Sequence, residues 1–265
     1  MKKFNIISKT DITSKEIANG IKNKLIDAGF EFEIDNPDLV IILGGDGKLL
    51  RTIHNYLDKL DNTCFVTLKT GTLGFSSDYK MDEAEELIND IINSNYTIEE
   101  INLLEAELCY YKTKKTLYGI NEIRLENRYH TCVLDVYIND NYFESFRGNG
   151  LCISTPFGST GYNKSLNGAV VLNDVEVLQM TEIAGIHNNA YCSLQNPLIV
   201  SKNTTLELKT NSKYTLVGLD HLTFSEENLK SVIVKYSDKK IKLVHYKENY
   251  TNIDRIKKSF IINKK

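Results

Sequence analysis

The chain has no apolar stretch long enough to cross a membrane, and its N-terminal MKKFNIISKTD turns polar after a run too short for a signal peptide. A cytoplasmic protein with no membrane partner is the expectation. An excess of charge of one sign is also missing. With a formal net charge of -3 and a sequence pI of 6.0, the chain carries no electrostatic footprint for nucleic acid or an anionic membrane, although a small anion can still be held locally. Cysteine is sparse and scattered: Cys64, Cys109, Cys132, Cys152 and Cys192 are odd in number and form no CxxC pair. That excludes a disulfide framework and the usual zinc spacings, and leaves reduced, mostly buried thiols. There is no internal repeat or low-complexity tract. The 265 residues suffice for one large domain or two modest ones, and two is the preferred reading.

The chain is organised around Asp38 to Tyr56, DLVIILGGDGKLLRTIHNY. Leu39 to Leu43 form an unbroken apolar run, as in a strand buried on both faces of a parallel sheet. Gly44, Gly45 and Gly47 follow, and then Leu49, Leu50, Ile53 and Leu57 repeat at helical spacing. Glycines between a strand and a helix permit close approach and point unpaired N–H groups and the positive helix end at one spot, which suits a phosphate. Asp46 sits inside this loop. A phosphate repels a carboxylate, so its presence suggests work on a hydroxyl or a metal ion. Taken alone, GGDG is equally an ordinary turn.

Upstream, Phe4 to Ile7 reads as a strand, Thr13-x-x-Glu16 as a capping box opening a helix, and Phe30 to Ile34 as a short strand. Downstream, Cys64 to Leu68 is another apolar run, followed by GTLGF at Gly71 to Phe75 and a helix from about Met81 to Ile92. This alternation predicts a parallel sheet covered by helices. Past about Tyr96 the period becomes two, beginning with Leu104, Ala106, Leu108 and Tyr110. Val133 to Ile138 and Tyr142 to Phe146 flank Asn139-Asp140-Asn141, a hairpin signal. Thr205 to Leu208, Tyr214 to Leu219, Ser231 to Tyr236 and Ile241 to Tyr246 read as further strands. Ile253, Ile256, Phe260 and Ile261 predict a closing helix that packs back on the first domain. The expected division is residues 1–98, joined by 247–265, as an α/β domain, and 99–246 as a β-rich one.

A second glycine-rich stretch, RGNGLCISTPFGSTGYNKSLNGA from Arg147 to Ala169, reads as too polar for core and dense in groups suited to a sugar and a base. An ordinary connecting loop is the competing reading. Asn121-Glu122 is a weaker signal: an amide beside a carboxylate can hold a ribose diol, or can simply be a solvated turn.

Taken together, GGDG, GTLGF, Asn121-Glu122, RGNG at Arg147 to Gly150 and STPFGSTGYNKSLNGA at Ser154 to Ala169 resemble the bacterial NAD kinases of the ATP-NAD kinase family, in size the short enzymes of Gram-positive bacteria. GGDG alone is shared with diacylglycerol and sphingosine kinases and phosphofructokinases, whereas the Ser/Thr/Gly stretch is specific. The resemblance implies an α/β fold, with a Rossmann-like parallel-sheet domain, then an antiparallel all-β sandwich-like domain and a C-terminal helix returning to the first. The implied activity is transfer of the ATP γ-phosphoryl group to the 2′-hydroxyl of the adenosine ribose of NAD, with a divalent ion, Mg²⁺ by expectation, accompanying ATP and no dedicated metal ligands. The implied partners are NAD, ATP and further copies of the chain, assembled as a homotetramer, a dimer of dimers. By the same resemblance Asp46 activates the hydroxyl, and Gly44, Gly45 and Gly47 seat the ATP phosphates, with Lys48 next to them as a further phosphate-binding candidate. NAD contacts fall to Asp46, Gly47, Phe75, Asn121, Glu122, Arg147, Asn149, Thr160, Gly161, Tyr162, Asn163, Lys164 and Ser165, with Ala184 and His221 as looser matches.

The chain departs from the family pattern in places. Lys48 replaces the usual threonine, and either reaches an ATP phosphate or points to solvent. Asn149 replaces the aspartate of RGDG, keeping a hydrogen-bond acceptor for the nicotinamide carboxamide but losing a charge. Phe157 and Gly161 stand where smaller polar residues and alanine are usual. A lipid or sugar kinase would account for GGDG but leaves Ser154 to Ala169 unexplained. A dinucleotide-binding regulator without turnover is at odds with retention of Asp46, Asn121 and Glu122.

Overall fold

The computed structural model describes residues 1–69, 75–94, 96–127, 129–246 and 251–261. Of GTLGF, Gly71 to Gly74 therefore lie outside the described residues, as do 247–250 and 262–265 of the closing segment. The chain forms two compact units, residues 1–101 with 240–265, and residues 102–239.

The first unit begins with β1 (Lys3–Ser8), α1 (Ile12–Asp27), β2 (Glu31–Phe32), β3 (Leu39–Leu43), α2 (Asp46–His54), β4 (Cys64–Lys69), β5 (Tyr79–Lys80) and α3 (Ala84–Asn93). Its strands run parallel in the order β2–β1–β3–β4, with Ile41 opposite Ile6 on one side and Val66 on the other. Every residue of β3 is buried, as the unbroken apolar run requires. Ile21 and Leu25 of α1 and Leu87, Ile88 and Ile91 of α3 share a core with Phe4, Leu39, Ile41 and Leu43. The start of α1 corrects the sequence reading: Asp11 is the N-cap, its carboxylate accepting the Ser14 N–H at 2.9 Å, so Thr13 lies inside the helix.

There follow β6 (Thr97–Cys109), β7 (Lys114–Gly119), β8 (Glu122–Glu126), β9 (Cys132–Ile138), β10 (Asn141–Gly148), β11 (Gly150–Ser154), the short α4 (Tyr162–Ser165), β12 (Val177–Ile183), β13 (Leu198–Ser201), β14 (Leu206–Lys209), β15 (Tyr214–Leu219), β16 (Leu222–Glu227) and β17 (Ser231–His245). In the second unit one sheet runs β13–β12–β11–β8–β15–β16 and is antiparallel throughout. Ile123, Leu125, Leu151, Ile153, Met180 and Val217 on its inner face share one core with Leu134, Val136, Phe146, Leu206, Leu208 and Val232 of the β10–β9–β14–β17 layer. This is a sandwich. The β9–β10 hairpin turns through Asn139 and Asp140, both in the left-handed region at φ 48 and 66, which is the twist a two-residue hairpin demands.

The last strand is one element where the sequence suggests two. Ser237 breaks the apolar pattern, but its carbonyl accepts the Asn102 amide at 2.8 Å, so the backbone stays extended from Ser231 to His245. Lys242 and Leu243 of this strand pair parallel with Cys64 and Phe65 of β4. The closing helix α5 (Asn252–Ile256), capped reciprocally by Thr251 and Asp254, passes into a wider turn over Lys257–Ile261. Its apolar side chains are not what it buries: Ile253 is 61% and Ile261 69% exposed, whereas Arg255 is 2% exposed. Apolar periodicity thus located the helix but not its anchor. Cys64, Cys132 and Cys152 are buried, Cys192 is exposed, and all five thiols are free. No helix among the described residues is long and apolar enough to cross a membrane.

The hairpin provides a direct check on the second unit. Asp140→Gly is expected to leave stability unchanged or slightly higher, and Asp140→Val to lower it by about 1 to 2 kcal/mol, because a β-branched residue is strained at positive φ. Urea denaturation of the two variants measures the difference.

Candidate functional site

In the first unit, β3 delivers the chain to Gly44 and Gly45, and Gly45 is the N-cap of α2, so Asp46 is the first residue of that helix. A carboxylate there is favoured by the helix dipole. Both its oxygens are held by backbone: Phe75 N–H donates to Oδ2 at 2.9 Å and Ser76 N–H to Oδ1 at 3.0 Å. Each oxygen keeps a further lone pair. None of the three loop glycines has a left-handed backbone; at Gly44 the requirement is steric, since a Cβ would come within 2.6 Å of the Lys48 Cβ. The stem of Lys48 therefore lies against the loop. At Gly47, which is exposed, a Cβ would meet nothing within 4 Å among the described residues. Phe75 is half-buried, its ring 6.1 Å from that of Phe260.

In the second unit the organising residue is one the motif reading passed over. Asp220, in the β15–β16 turn with φ 50, accepts the Ile120 N–H at 2.8 Å on Oδ2, and those of Asn121 at 2.7 Å and Glu122 at 3.1 Å on Oδ1. Its own N–H donates to the Glu122 carbonyl at 3.0 Å. The available signal was a short Asp-His turn between two apolar runs, in which the neighbouring His221 drew attention instead. Thr155 fixes the same segment from the other side, its hydroxyl donating to the Ile120 carbonyl at 2.6 Å and accepting the Gly158 N–H at 3.0 Å. Gly158 is needed because a Cβ would lie 2.1 Å from the Asn121 carbonyl oxygen.

Held this way, Asn121 and Glu122 present Oδ1 and Oε2, two buried acceptor atoms with no hydrogen-bond partner among the described residues. Both side chains border Gly161: its Cβ position would be 3.6 Å from the Asn121 Nδ2 and 4.0 Å from the Glu122 Oε2. Burial, reinforced by Asp220 and Glu126 and opposed by Arg124, pushes the Glu122 carboxyl up to about 7. Buried acceptors without donors are costly, which makes this pair a candidate for contact with a hydrogen-bond-donating ligand.

The stretch from Arg147 to Ala169 is not the polar surface loop that its composition suggests. Its residues 150–159 are all buried, and several of its polar side chains are hydrogen-bonded within the unit. Asn163 is fully buried, its amide reaching the Ser159 carbonyl at 3.3 Å and accepting the Thr181 hydroxyl at 2.7 Å, while Gln179 exchanges hydrogen bonds with Ala169 at 2.8 and 3.0 Å. Asn163 thus shapes the segment from within. Thr160 is half-buried, and Gly161, Tyr162, Lys164 and Ser165 are exposed. The guanidinium of Arg124 lies over the Tyr162 ring at 5.1 Å.

Arg147, Asn149 and Ala184 form a separate group. Arg147 lies 4.4 Å over the Tyr191 ring and its carbonyl accepts the Ile186 N–H at 2.7 Å; the Asn149 N–H donates to Ile183 at 2.9 Å, and a Cβ on Gly148 would press the Ala184 carbonyl at 2.6 Å. Gly150 of β11 pairs with Glu126 and Ser154 with Glu122, so this group sits at the opposite end of β11 from Asn121 and Glu122, about 13 Å away at the rise of a strand.

As a class, this is an α/β unit with a carboxylate at a glycine-loop helix N-terminus, followed by a β sandwich offering buried acceptors to a hydroxylated ligand. The chain belongs to the ATP-NAD kinase family: residues 3–96 match the ATP-NAD kinase N-terminal domain and residues 120–246 the ATP-NAD kinase C-terminal domain. It is 38% identical to NAD kinase 1 of Bacillus cereus, over 99% of this chain and 100% of that one. It is 36% identical to the NAD kinase of Latilactobacillus sakei, over 99% and 98%. The fold is that of yeast NADH kinase, solved with NADH (TM-score 0.82, 20% identity, 100% of this chain and 89% of that one). It is also that of an Archaeoglobus fulgidus NAD kinase solved with ATP (TM-score 0.77, 19% identity, 98% and 100%).

The position of Glu122 generates a pH prediction. Its carboxyl is raised in the folded state, so the folded protein binds a proton that the unfolded chain has released, and stability falls as pH rises from about 4.3 to about 7. Glu122→Gln is expected to remove that decline, raising stability at pH 8 by on the order of 2 kcal/mol and leaving it unchanged near pH 4. The same variant should bind dinucleotide more weakly by about 1.5 to 3 kcal/mol, for one lost charge-assisted hydrogen bond. Denaturation across pH and calorimetric titration with NAD measure the two effects.

Proposed function

We propose that the protein transfers the γ-phosphoryl group of ATP to the 2′-hydroxyl of the adenosine ribose of NAD, forming NADP. Full-length family membership supports the activity. The observation that carries it at the site is the pair of buried acceptors on Asn121 and Glu122 beside Gly161, without donors among the described residues, an arrangement fitted to a ribose diol. In this reading Asp46 takes the hydroxyl proton as the ribose oxygen bonds to phosphorus and the bond to the ADP oxygen breaks. Its two backbone hydrogen bonds fix the direction of the remaining lone pairs. Gly44, Gly45 and Gly47 seat the phosphates, and Lys48, anchored by its stem over Gly44, brings its ammonium to them. Phe75 borders the adenine, and Thr160, Gly161, Tyr162, Lys164, Ser165 and His221 line the dinucleotide, with Asn163 supporting them from beneath. Catalysis is chiefly positioning.

Among the described residues no three His, Cys, Asp or Glu side chains are grouped to hold a metal ion. A divalent ion chelated by the triphosphate would neutralise phosphate charge when bound. Free thiols in all five cysteines support placement in the cytoplasm.

We further propose a homo-oligomer, a dimer of dimers, in which Arg147, Asn149 and Ala184 complete a neighbour's nicotinamide site. Their location at the far end of β11 from Asn121 and Glu122 supports this reading. Symmetric association is then part of function.

Two outcomes follow. Asp46→Asn should keep the fold and most NAD binding while turnover, followed as NADP formed from NAD, ATP and magnesium, falls about 10²- to 10⁴-fold; near-normal turnover removes Asp46 as the base. Asn149→Asp should tighten NAD, whose nicotinamide ring is cationic, more than NADH, by about 0.5 to 1 kcal/mol, and less at high salt. Light scattering fixes the mass, and NAD and NADH titrations at two salt concentrations measure the gain; an active monomer refutes the shared site.

A further inference from the structure

Asp46 is oriented by the N–H groups of Phe75 and Ser76, so whatever fixes this short segment fixes the base. On its C-terminal side the segment runs into β5, where Tyr79 and Lys80 pair with Leu68 and Lys69 of β4 and the Tyr79 hydroxyl donates to Asp90 at 2.6 Å. The Thr67 hydroxyl donates to the Ser76 carbonyl at 2.6 Å, and two residues later Asp78 is 3% exposed and enters a buried cluster of charge. There the Arg255 guanidinium of α5 donates to Asp78 at 2.8 Å and to Glu99 at 3.2 Å. The His245 imidazole lies between the same carboxylates, Nδ1 on Asp78 and Nε2 on Glu99 at 2.8 Å. Burial opposes a charged imidazole here, but the hydrogen bonds to Asp78 and Glu99 outweigh it and hold the histidine above its ordinary pKa. The Arg255 Nη2 also lies 2.8 Å from the His245 Nδ1, so guanidinium and imidazole share the two carboxylates. Breaking such a set by removing one member strands buried charge. The C-terminal segment also meets the same stretch a second time, through the Phe75 and Phe260 rings.

We infer that the C-terminal segment is a positioning clamp for the catalytic base: Arg255, through Asp78, and Phe260, through Phe75, hold the two N–H groups that orient the Asp46 carboxylate. None of the clamp residues touches the reacting atoms in this account, and Arg255 and Phe260 act only through the segment 75–78. The two grips are chemically independent, one a buried ion pair and one a ring contact on a side chain 43% exposed. That distinction matters for testing, because loss of Arg255 endangers the fold and loss of Phe260 does not.

The inference rests on the kinase reading for the role of Asp46, and the test separates the two. Arg255→Met, Arg255→Lys and Phe260→Ala are compared with the unaltered protein in NADP formation, and the amides of Phe75 and Ser76 are followed by hydrogen exchange in the absence of substrate. The expected result for Arg255→Met and Phe260→Ala is a kcat lower by about 10- to 100-fold, the scale of a misplaced catalytic group, with KM for NAD and ATP unchanged within about two-fold. Arg255→Lys should fall between, since an ammonium restores the charge but not the two-carboxylate fork. In parallel, exchange at Phe75 and Ser76 should quicken about ten-fold while β3 amides stay protected. If Arg255→Met does not fold, Phe260→Ala carries the test alone. Unchanged kcat with unchanged exchange in Phe260→Ala overturns the clamp, and so does a rise in KM with kcat intact. Failure of the unaltered protein to make NADP would overturn the kinase reading instead, and the exchange measurement would still decide whether the segment is clamped.

Discussion

One carboxylate, Asp220, sustains the geometry of the second unit's site. By accepting three successive N–H groups from Ile120, Asn121 and Glu122, it fixes the entry into β8 from the side opposite the β11 pairing. Hydrogen bonds to a charged acceptor are among the stronger ones, and three to one side chain leave the backbone little freedom. The consequence is that Asn121 and Glu122 cannot turn away to satisfy their own acceptors. A buried Asn Oδ1 and Glu Oε2 stay without donors among the described residues, and Glu122 keeps its proton up to about 7. In the proposed reading a hydroxylated ligand would supply the missing donors.

The glycines of the second unit serve this arrangement by absence of a side chain. Gly158 lets the 157–160 turn lie directly on the Asn121 backbone, and Gly168 leaves room for the Asn163 amide, which a Cβ would approach to 2.3 Å. In turn Asn163 is bonded by Thr181 and the Ser159 carbonyl, the Ser159 hydroxyl accepts the Val171 N–H, and Gln179 exchanges hydrogen bonds with Ala169, which offsets much of the cost of burying these polar groups. Substituting any one of these would strand its partners.

The first unit applies the same device to a different end. Asp46 is bonded on both oxygens by backbone N–H groups, and those groups belong to a segment gripped from the C-terminal side by Arg255 and Phe260. In both units, then, a carboxylate accepts successive backbone N–H groups, Asp46 those of Phe75 and Ser76 and Asp220 those of Ile120, Asn121 and Glu122.

The strands, helices and order of the two units were legible in the sequence because they rest on local pattern: the unbroken run Leu39 to Leu43, the alternation from Leu104, and the Asn-Asp turn at 139–140 each have a period or turn chemistry that burial enforces. The family was legible because its motifs combine residue types at fixed spacing, and Asp46, Asn121 and Glu122 were named on that ground. What only the tertiary structure decided is how each polar group is satisfied. Composition made Arg147 to Ala169 look like surface, and apolar spacing made Ile253 and Ile261 look like anchors, but hydrogen bonding and ion pairing over long sequence separations reversed both. Asp220 acts 98 to 100 residues away from the N–H groups it accepts, and Arg255 lies 177 residues from Asp78. No local pattern encodes such pairings, because a buried charge or amide is stable only when its partner is brought to it by the fold.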